Sequence, residues 1–525
     1  MTRLLTVLGA LVLVGAVACA PTSQPPPLQP HTEQNGPVGP VPAGLERYYG
    51  QSLEWGPCAE YATTPRTRSA YRNRRLECTR LTVPMDYSEP RGRSLTLGVL
   101  RKPAGQPSRR VGSLVVNPGG PGASGMTMAA GLSGTVAGTE LGRRFGLVGF
   151  DPRGIGASLP RVNCLTADGR DAERLDSDAN TSPSAVARTE SENRAYAARC
   201  ARRSGTELLA NMGTRDVAKD MDVLRSALGD EKLTYLGYSY GTRIGAEYAE
   251  QFPGNVRAMV LDGAIDPKQD TVQSMVAQAA GFQRAFDAFA AWCAPRASCA
   301  LGDDPSRAVG VYQRLTRPLV RRPVPTAGDR RLSYSGATTA TIQALYSPST
   351  WPRLNDGLLQ LERGNGQILL GLADSYYGRA DNGQYSGITD SFDAVRCVDD
   401  PRITDRARKR EADRRYRRAA PFLDDGYPPS GARGPCAFWP APVTGDTVPP
   451  DPAKLPPTLV LSTTGDPATP HEAGVRLAKT LGGRLLTFRG TRHTVFLRGN
   501  SCVDDAGIRY LVDLKLPPEG TRCGS

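Results

Sequence analysis

Ser239 lies in Gly237-Tyr238-Ser239-Tyr240-Gly241, a G-x-S-x-G placed between the strand-like run KLTYL and the helix-like run TRIGAEYAEQF. A strand that turns sharply into a helix needs glycines flanking the serine, since other side chains would collide in so tight a turn. It presents the hydroxyl at a helix N-terminus, where partial positive charge favours a developing anion. This is the chemistry of a covalent nucleophile. A second glycine-rich stretch, Asn117-Pro118-Gly119-Gly120-Pro121-Gly122, follows the apolar run SLVV. Pro118 and Pro121 carry no N–H, so an oxyanion donor must come from a glycine, and we assign it to Gly120 together with the N–H of Tyr240. A phosphate-binding loop is the competing reading, but no Lys-Ser/Thr follows.

The base must be a histidine, and the chain has three. His31 falls in a Pro-rich segment and His471 at the start of a helical pattern, whereas His493 follows the strand-like LLTF. His493 is the base. In the order Ser, Asp, His, the acid belongs in a loop after an intervening strand. Asp466, after TLVLS, fits that place, and Asp262, after AMVL, is the runner-up. Ser239, His493 and Asp466 would carry out acyl transfer through an acyl-Ser239 intermediate, with no cofactor or metal required.

These residues need a sheet to hold them. Strand-like runs occur at 95–100, 113–116, 146–150, 233–236, 258–261, 458–461 and 485–488. Several are short and continuously apolar, as in parallel strands buried on both faces. Val217, Met221, Leu224 and Leu228 share one face of a helix that Thr214 can cap and Gly229 can end. Residues 267–440 are mainly helical in pattern, with helices over 272–293, 306–315, 338–345 and 405–420. The fold class expected is an α/β-hydrolase core with a mostly parallel sheet, formed by residues 44–266 and 441–525, and an inserted, mainly helical cap over 267–440.

The first 18 residues form an export signal: Arg3, then an almost unbroken apolar run from Leu4 to Val17. Ala16-Val17-Ala18 before Cys19 has the pattern of a lipoprotein, with Cys19 acylated and anchoring the chain to a membrane; secretion after an A-x-A cleavage is the alternative. Residues 19–43 then form the lipidated end and a Pro-rich tether without a core. The destination is the cell envelope, on the outer face of the membrane, or the medium.

Eleven cysteines minus Cys19 leave an even ten for an oxidising compartment. Sequential neighbours would pair as Cys58/Cys78, Cys164/Cys200, Cys293/Cys299, Cys397/Cys436 and Cys502/Cys523, although spacing alone does not fix connectivity. The absence of any C-x-x-C and the three histidines argue against a zinc site. The net charge of +13 is spread along the chain, and the densest run, residues 406–418, also holds Glu411 and Asp413, as on a solvated helix face. No nucleic-acid motif is present.

The motifs NPGGPGASG, GFDPRGIGAS, TYLGYSYGTRIGAEYAEQFP, VLDGAIDP and TGDPATP occur in this order, with WGPC before them and CVDDP and RHTVF at their places. Together they resemble the tripeptidyl-aminopeptidase branch of the proline-iminopeptidase-like α/β-hydrolases, which includes cell-envelope lipoproteins. The resemblance covers essentially the whole chain after the signal. It implies removal of short peptides, tripeptides, from free N-termini under a closing cap, and it places nucleophile, acid and base at Ser239, Asp466 and His493. The loop Gly490-Thr491-Arg492-His493 departs from it, since relatives often carry Gly directly before the base. An enzyme of this kind needs a carboxylate for the substrate ammonium. Asp399, in Cys397-Val398-Asp399, is the candidate. An esterase or lipase, or a serine endopeptidase, would use the same triad.

Overall fold

A computed structural model describes residues 29–175, 180–266, 268–445 and 450–524. The export signal and Cys19 lie outside the described residues. Among the described residues no helix is long and apolar enough to cross a membrane.

Eleven strands form one sheet: β1 (His31–Glu33), β2 (Leu53–Pro57), β3 (Glu77–Pro84), β4 (Ser94–Lys102), β5 (Gly112–Asn117), β6 (Phe145–Phe150), β7 (Leu233–Tyr238), β8 (Val256–Asp262), β9 (Leu459–Thr463), β10 (Arg484–Arg489) and β11 (Arg522–Gly524). Their spatial order is β1-β2-β3-β4-β6-β5-β7-β8-β9-β10-β11. From β6 to β11 all neighbours are parallel, and the first four strands are antiparallel. Every residue of β5, β6, β7 and β9 is buried, which accounts for their continuous apolar text.

Helices cover both faces. One apolar cluster gathers Val115, Leu224, Tyr235 and Ile244 with α1 (Thr214–Ala227) and α2 (Tyr240–Gln251). The other gathers Leu114, Met126, Leu236 and Phe496. In α1 the expected apolar face is buried and Gly229 closes the turn at φ +77. Its start differs from the expectation. Gly213 holds the cap position, and the Thr214 N–H goes instead to the carboxylate of Asp399 at 2.8 Å. A side chain 185 residues away therefore supplies the cap.

The helical block has its own apolar cluster, from Ala279 to Leu423, joined by Ala468 of the C-terminal part. It is built from α3 (Thr271–Cys293), α4 (Ala308–Thr316), α5 (Tyr334–Leu345), α6 (Trp351–Glu362) and α7 (Gln367–Tyr377). The expected cap of 267–440 is narrower in its packing, because α8 (Ile388–Asp399), through Val395 and Val398, and Trp439 join the main core. The segment expected as a coreless tether is also only partly one. Residues 31–33 pair with β2, Val38 donates to Ser226 Oγ at 2.9 Å, and Glu33 is clamped by Arg101 at 2.6 Å.

The structure pairs Cys58–Cys78, Cys164–Cys200, Cys293–Cys299, Cys397–Cys436 and Cys502–Cys523. Peptide mapping without reductant should recover these five links and no free thiol once Cys19 is removed or acylated. Loss of a single link should cost roughly 2–4 kcal/mol by freeing the unfolded chain. A link between members of different pairs would refute this pattern.

Candidate active site

The four residues picked for chemistry stand just past the C-terminal ends of adjacent strands: Ser239 after β7, Asp262 closing β8, Asp466 after β9 and His493 after β10. This is the edge where parallel sheets bind ligands.

Ser239 adopts φ 54, ψ −124, a region that a residue with a side chain enters only when its surroundings force it. The forcing comes from both sides. Its N–H donates to Asp262 O at 2.9 Å, and its carbonyl receives Thr242 N–H at 2.8 Å and Thr242 Oγ1 at 2.7 Å. A Cβ on Gly237 would come within 2.5 Å of Gly241 O, so the turn has no room for one. Ser239 Oγ has no hydrogen-bond partner among the described residues and is free to turn, as nucleophile contacts often tighten only around substrate.

The glycine loop lies against this turn. A Cβ on Gly119 would come within 2.8 Å of Tyr240 N and 3.0 Å of Ser239 Cβ. The Gly119 N–H is already spent on Asn117 Oδ1 at 2.9 Å, whereas Gly120 N–H has no partner among the described residues. Tyr240 N–H is a first-turn donor of α2 and likewise lacks an intrahelical acceptor. Gly120 and Tyr240 are thus the donors the elbow leaves open.

His493 Nδ1 stands 3.0 Å from both oxygens of Asp466. The Asp466 side chain is fully buried, and that of His493 is 10% exposed. Oδ1 of Asp466 accepts the Ala468 and Thr469 N–H groups, both at 2.9 Å, and Oδ2 accepts the Thr469 hydroxyl at 3.0 Å. With these donors on it the carboxylate is left to accept from the ring, which places the His493 proton on Nδ1 and leaves Nε2 as the accepting nitrogen. Burial resists charging the imidazole, but the Asp466 charge and hydrogen bond outweigh it and raise His493 above its ordinary range.

The cap touches both partners, a contact without local sequence signal. Tyr346, just past α5, accepts the His493 N–H at 2.9 Å, and its ring meets the imidazole edge-on with centroids 5.2 Å apart. Gln278 on α3 donates to Ala468 O in the acid's loop at 3.0 Å.

Asp399 requires a correction. It is buried, accepts the N–H and hydroxyl of Thr214, and lies beside Arg243 at 3.9 Å. Thr214 Oγ1 in turn meets the Tyr240 hydroxyl at 2.5 Å. Asp399 caps α1 and braces the helix that follows Ser239, so it is not open to a substrate ammonium. His471 is equally occupied, with Nδ1 on Ser462 Oγ at 3.0 Å, and His31 lies at the far edge of the sheet beside Glu33. Arg492, the departure before His493, is partly buried, and its Nε has no partner among the described residues.

Residues 112–499 match the family described as alpha/beta hydrolase fold. The chain belongs to that family. It is 46% identical to serine protease Hip1 of Mycobacterium tuberculosis, over 90% of this chain and 91% of that one. Similarity to carboxylesterase B of the same species reaches 45%, over 95% and 94%. To the tripeptidyl aminopeptidase of Streptomyces lividans it is 30%, over 90% and 86%. The chain is therefore a hydrolase, and its relatives include the branch its motifs resemble.

Proposed function

We propose that this hydrolase is an exported serine peptidase that removes short peptides, tripeptides, from free N-termini. Ser239 attacks the scissile carbonyl while His493 takes its proton, and Asp466 stabilises the imidazolium. Gly120 and Tyr240 N–H groups receive the oxyanion, and His493 then protonates the leaving amine. Water, deprotonated by His493, releases the acyl group. The observation that carries this reading is the His493–Asp466 contact, set beside a strained serine turn with two open N–H donors. The peptide specificity draws on similarity to the aminopeptidase and Hip1, and membrane attachment through Cys19 draws on the signal.

The 45% identity to carboxylesterase B favours a second reading, an envelope esterase using the same residues. The test compares a free tripeptidyl amide, its N-acetylated form and a simple ester on the purified protein. An ammonium-binding site makes the free peptide the better substrate by about 30-fold to several-thousand-fold, since losing one side of a buried charge pair costs roughly 2–5 kcal/mol. Equal cleavage of free and acetylated peptide would leave an endopeptidase, and ester turnover alone would leave the esterase.

A further inference from the structure

Asp262 closes β8 between the nucleophile's strand and the acid's strand, and the triad does not use it. It is fully buried. Its main-chain oxygen accepts the Ser239 N–H at 2.9 Å. Its side-chain Oδ2 accepts the N–H groups of Val495 at 2.7 Å and Phe496 at 2.8 Å, the second and third residues after His493. Oδ1 is buried with no hydrogen-bond partner among the described residues. One residue thus grips both the nucleophile's turn and the base's loop.

That loop needs a grip. Thr494 sits at φ 60 and Leu497 at φ 57, conformations that β-branched and bulky residues keep only where the surroundings over-determine them. The restraints are specific. Tyr346 O holds His493 N–H, Asp504 holds Leu497 N–H at 2.6 Å, and the Tyr238 hydroxyl holds Phe496 O at 3.0 Å. Between them, Asp262 alone bonds the two central N–H groups. The next residue, Gly263, would bring a Cβ to 3.1 Å from His493 Cε1, so the end of β8 directly backs the imidazole.

We propose that Asp262 is a positioning residue: it locks the loop that carries His493 to the turn that carries Ser239, and adds a second anion behind the imidazolium. This rests on the triad read above. The charged and titratable groups around it are His493, Asp466, Tyr238, Asp504 and Arg498, the last over the Tyr238 ring at 5.6 Å. Burial pushes the Asp262 carboxyl up to about 6, against the pull of the two N–H groups and His493. It is an anion at neutral pH, and that anion adds to the Asp466 effect in raising His493. The base works only when neutral. Removing the Asp262 charge therefore lowers the His493 pKa and extends activity to lower pH.

The experiment measures kcat and KM for an activated phenyl ester across pH in the wild type, Asp262→Asn and Asp262→Ala, with Asp466→Asn alongside. The Asn oxygen still accepts both loop N–H groups, so Asp262→Asn should keep kcat at pH 8 within about tenfold. Its acid limb of kcat/KM should move down by about 0.5 in pH or more, as expected when a nearby anion is lost. Asp262→Ala releases the loop and should lose on the order of 10²-fold in kcat with KM little changed, the scale of a misplaced catalytic group. Asn would then rescue kcat but not the limb, which a residue with a merely structural role would not do. An unmoved limb in Asp262→Asn overturns the proposal, and that variant decides alone if Asp262→Ala does not fold. Inactive Asp262→Asn with active Asp466→Asn would instead mean that Asp262 is the acid and the triad was misread.

Discussion

Ser239→Ala is expected to lose on the order of 10⁴-fold or more in kcat while leaving the fold intact. The size follows from the way triad members act as a unit: without the nucleophile the base and acid have nothing to activate. The intact fold follows from what Ser239 contributes to the structure. Its fixed contacts are main-chain ones, the N–H on Asp262 O and the carbonyl under Thr242, and alanine keeps both. The strained φ is no worse for Ala than for Ser, so the thermal unfolding midpoint should stay within a few degrees. A fluorophosphonate probe should label the wild type at one position and the variant not at all. Labelling of the variant at another serine would move the nucleophile elsewhere.

The candidate site was legible in the sequence where its parts are local. The G-x-S-x-G turn and the glycine loop announce themselves because sterics at Gly237 and Gly119 act between near neighbours in the fold and demand a fixed residue type. Most strands of the central sheet read well because burial on both faces leaves continuous apolar runs, whereas β10 is largely half-buried and read from LLTF alone. The edge strands β1, β2, β3 and β11 did not. β3 interleaves Glu77, Thr79 and Arg80 with its apolar residues, and β11 is three residues long. The 22-residue helix over Pro183–Ser204 went unread for a related reason, since its buried side consists of scattered residues such as Val186, Tyr196 and Cys200 in a polar text.

Roles set by distant contacts were beyond local reading. Asp399 looked like a free cap carboxylate, but its place is decided by Thr214 and Arg243, 185 and 156 residues away. The contact of Tyr346 on His493 arises only when cap and sheet come together, and the grip of Asp262 on Val495 only when the end of β8 meets the loop after β10. Asp262 was visible only as a rival for the acid's position. The strand order explains why: it ends the strand next to that of Asp466, so both carboxylates reach the same loop from different sides.

Asp466→Asn is expected to cost on the order of 10⁴-fold in kcat, about 5.5 kcal/mol in the barrier. The direction in which the amide settles follows from the structure. Oδ1 of Asp466 takes two backbone N–H groups, from Ala468 and Thr469. The Asn oxygen must stay there, because an NH2 group facing two donors would leave all of them unpaired. The NH2 group then occupies the place of Oδ2, 3.0 Å from His493 Nδ1, and the amide oxygen stays at the Oδ1 place, also 3.0 Å from it. The carboxylate's charge is lost and a donor now competes at Nδ1, which favours the imidazole proton on Nε2, the nitrogen that must accept the Ser239 proton. The variant should therefore keep its fold, bind substrate with little change in KM, and react slowly with a fluorophosphonate. Raising the pH should restore little, because the fault lies in the tautomer and not in a titrating group. Turnover within tenfold of wild type would place the acid elsewhere, with Asp262 the residue to test next.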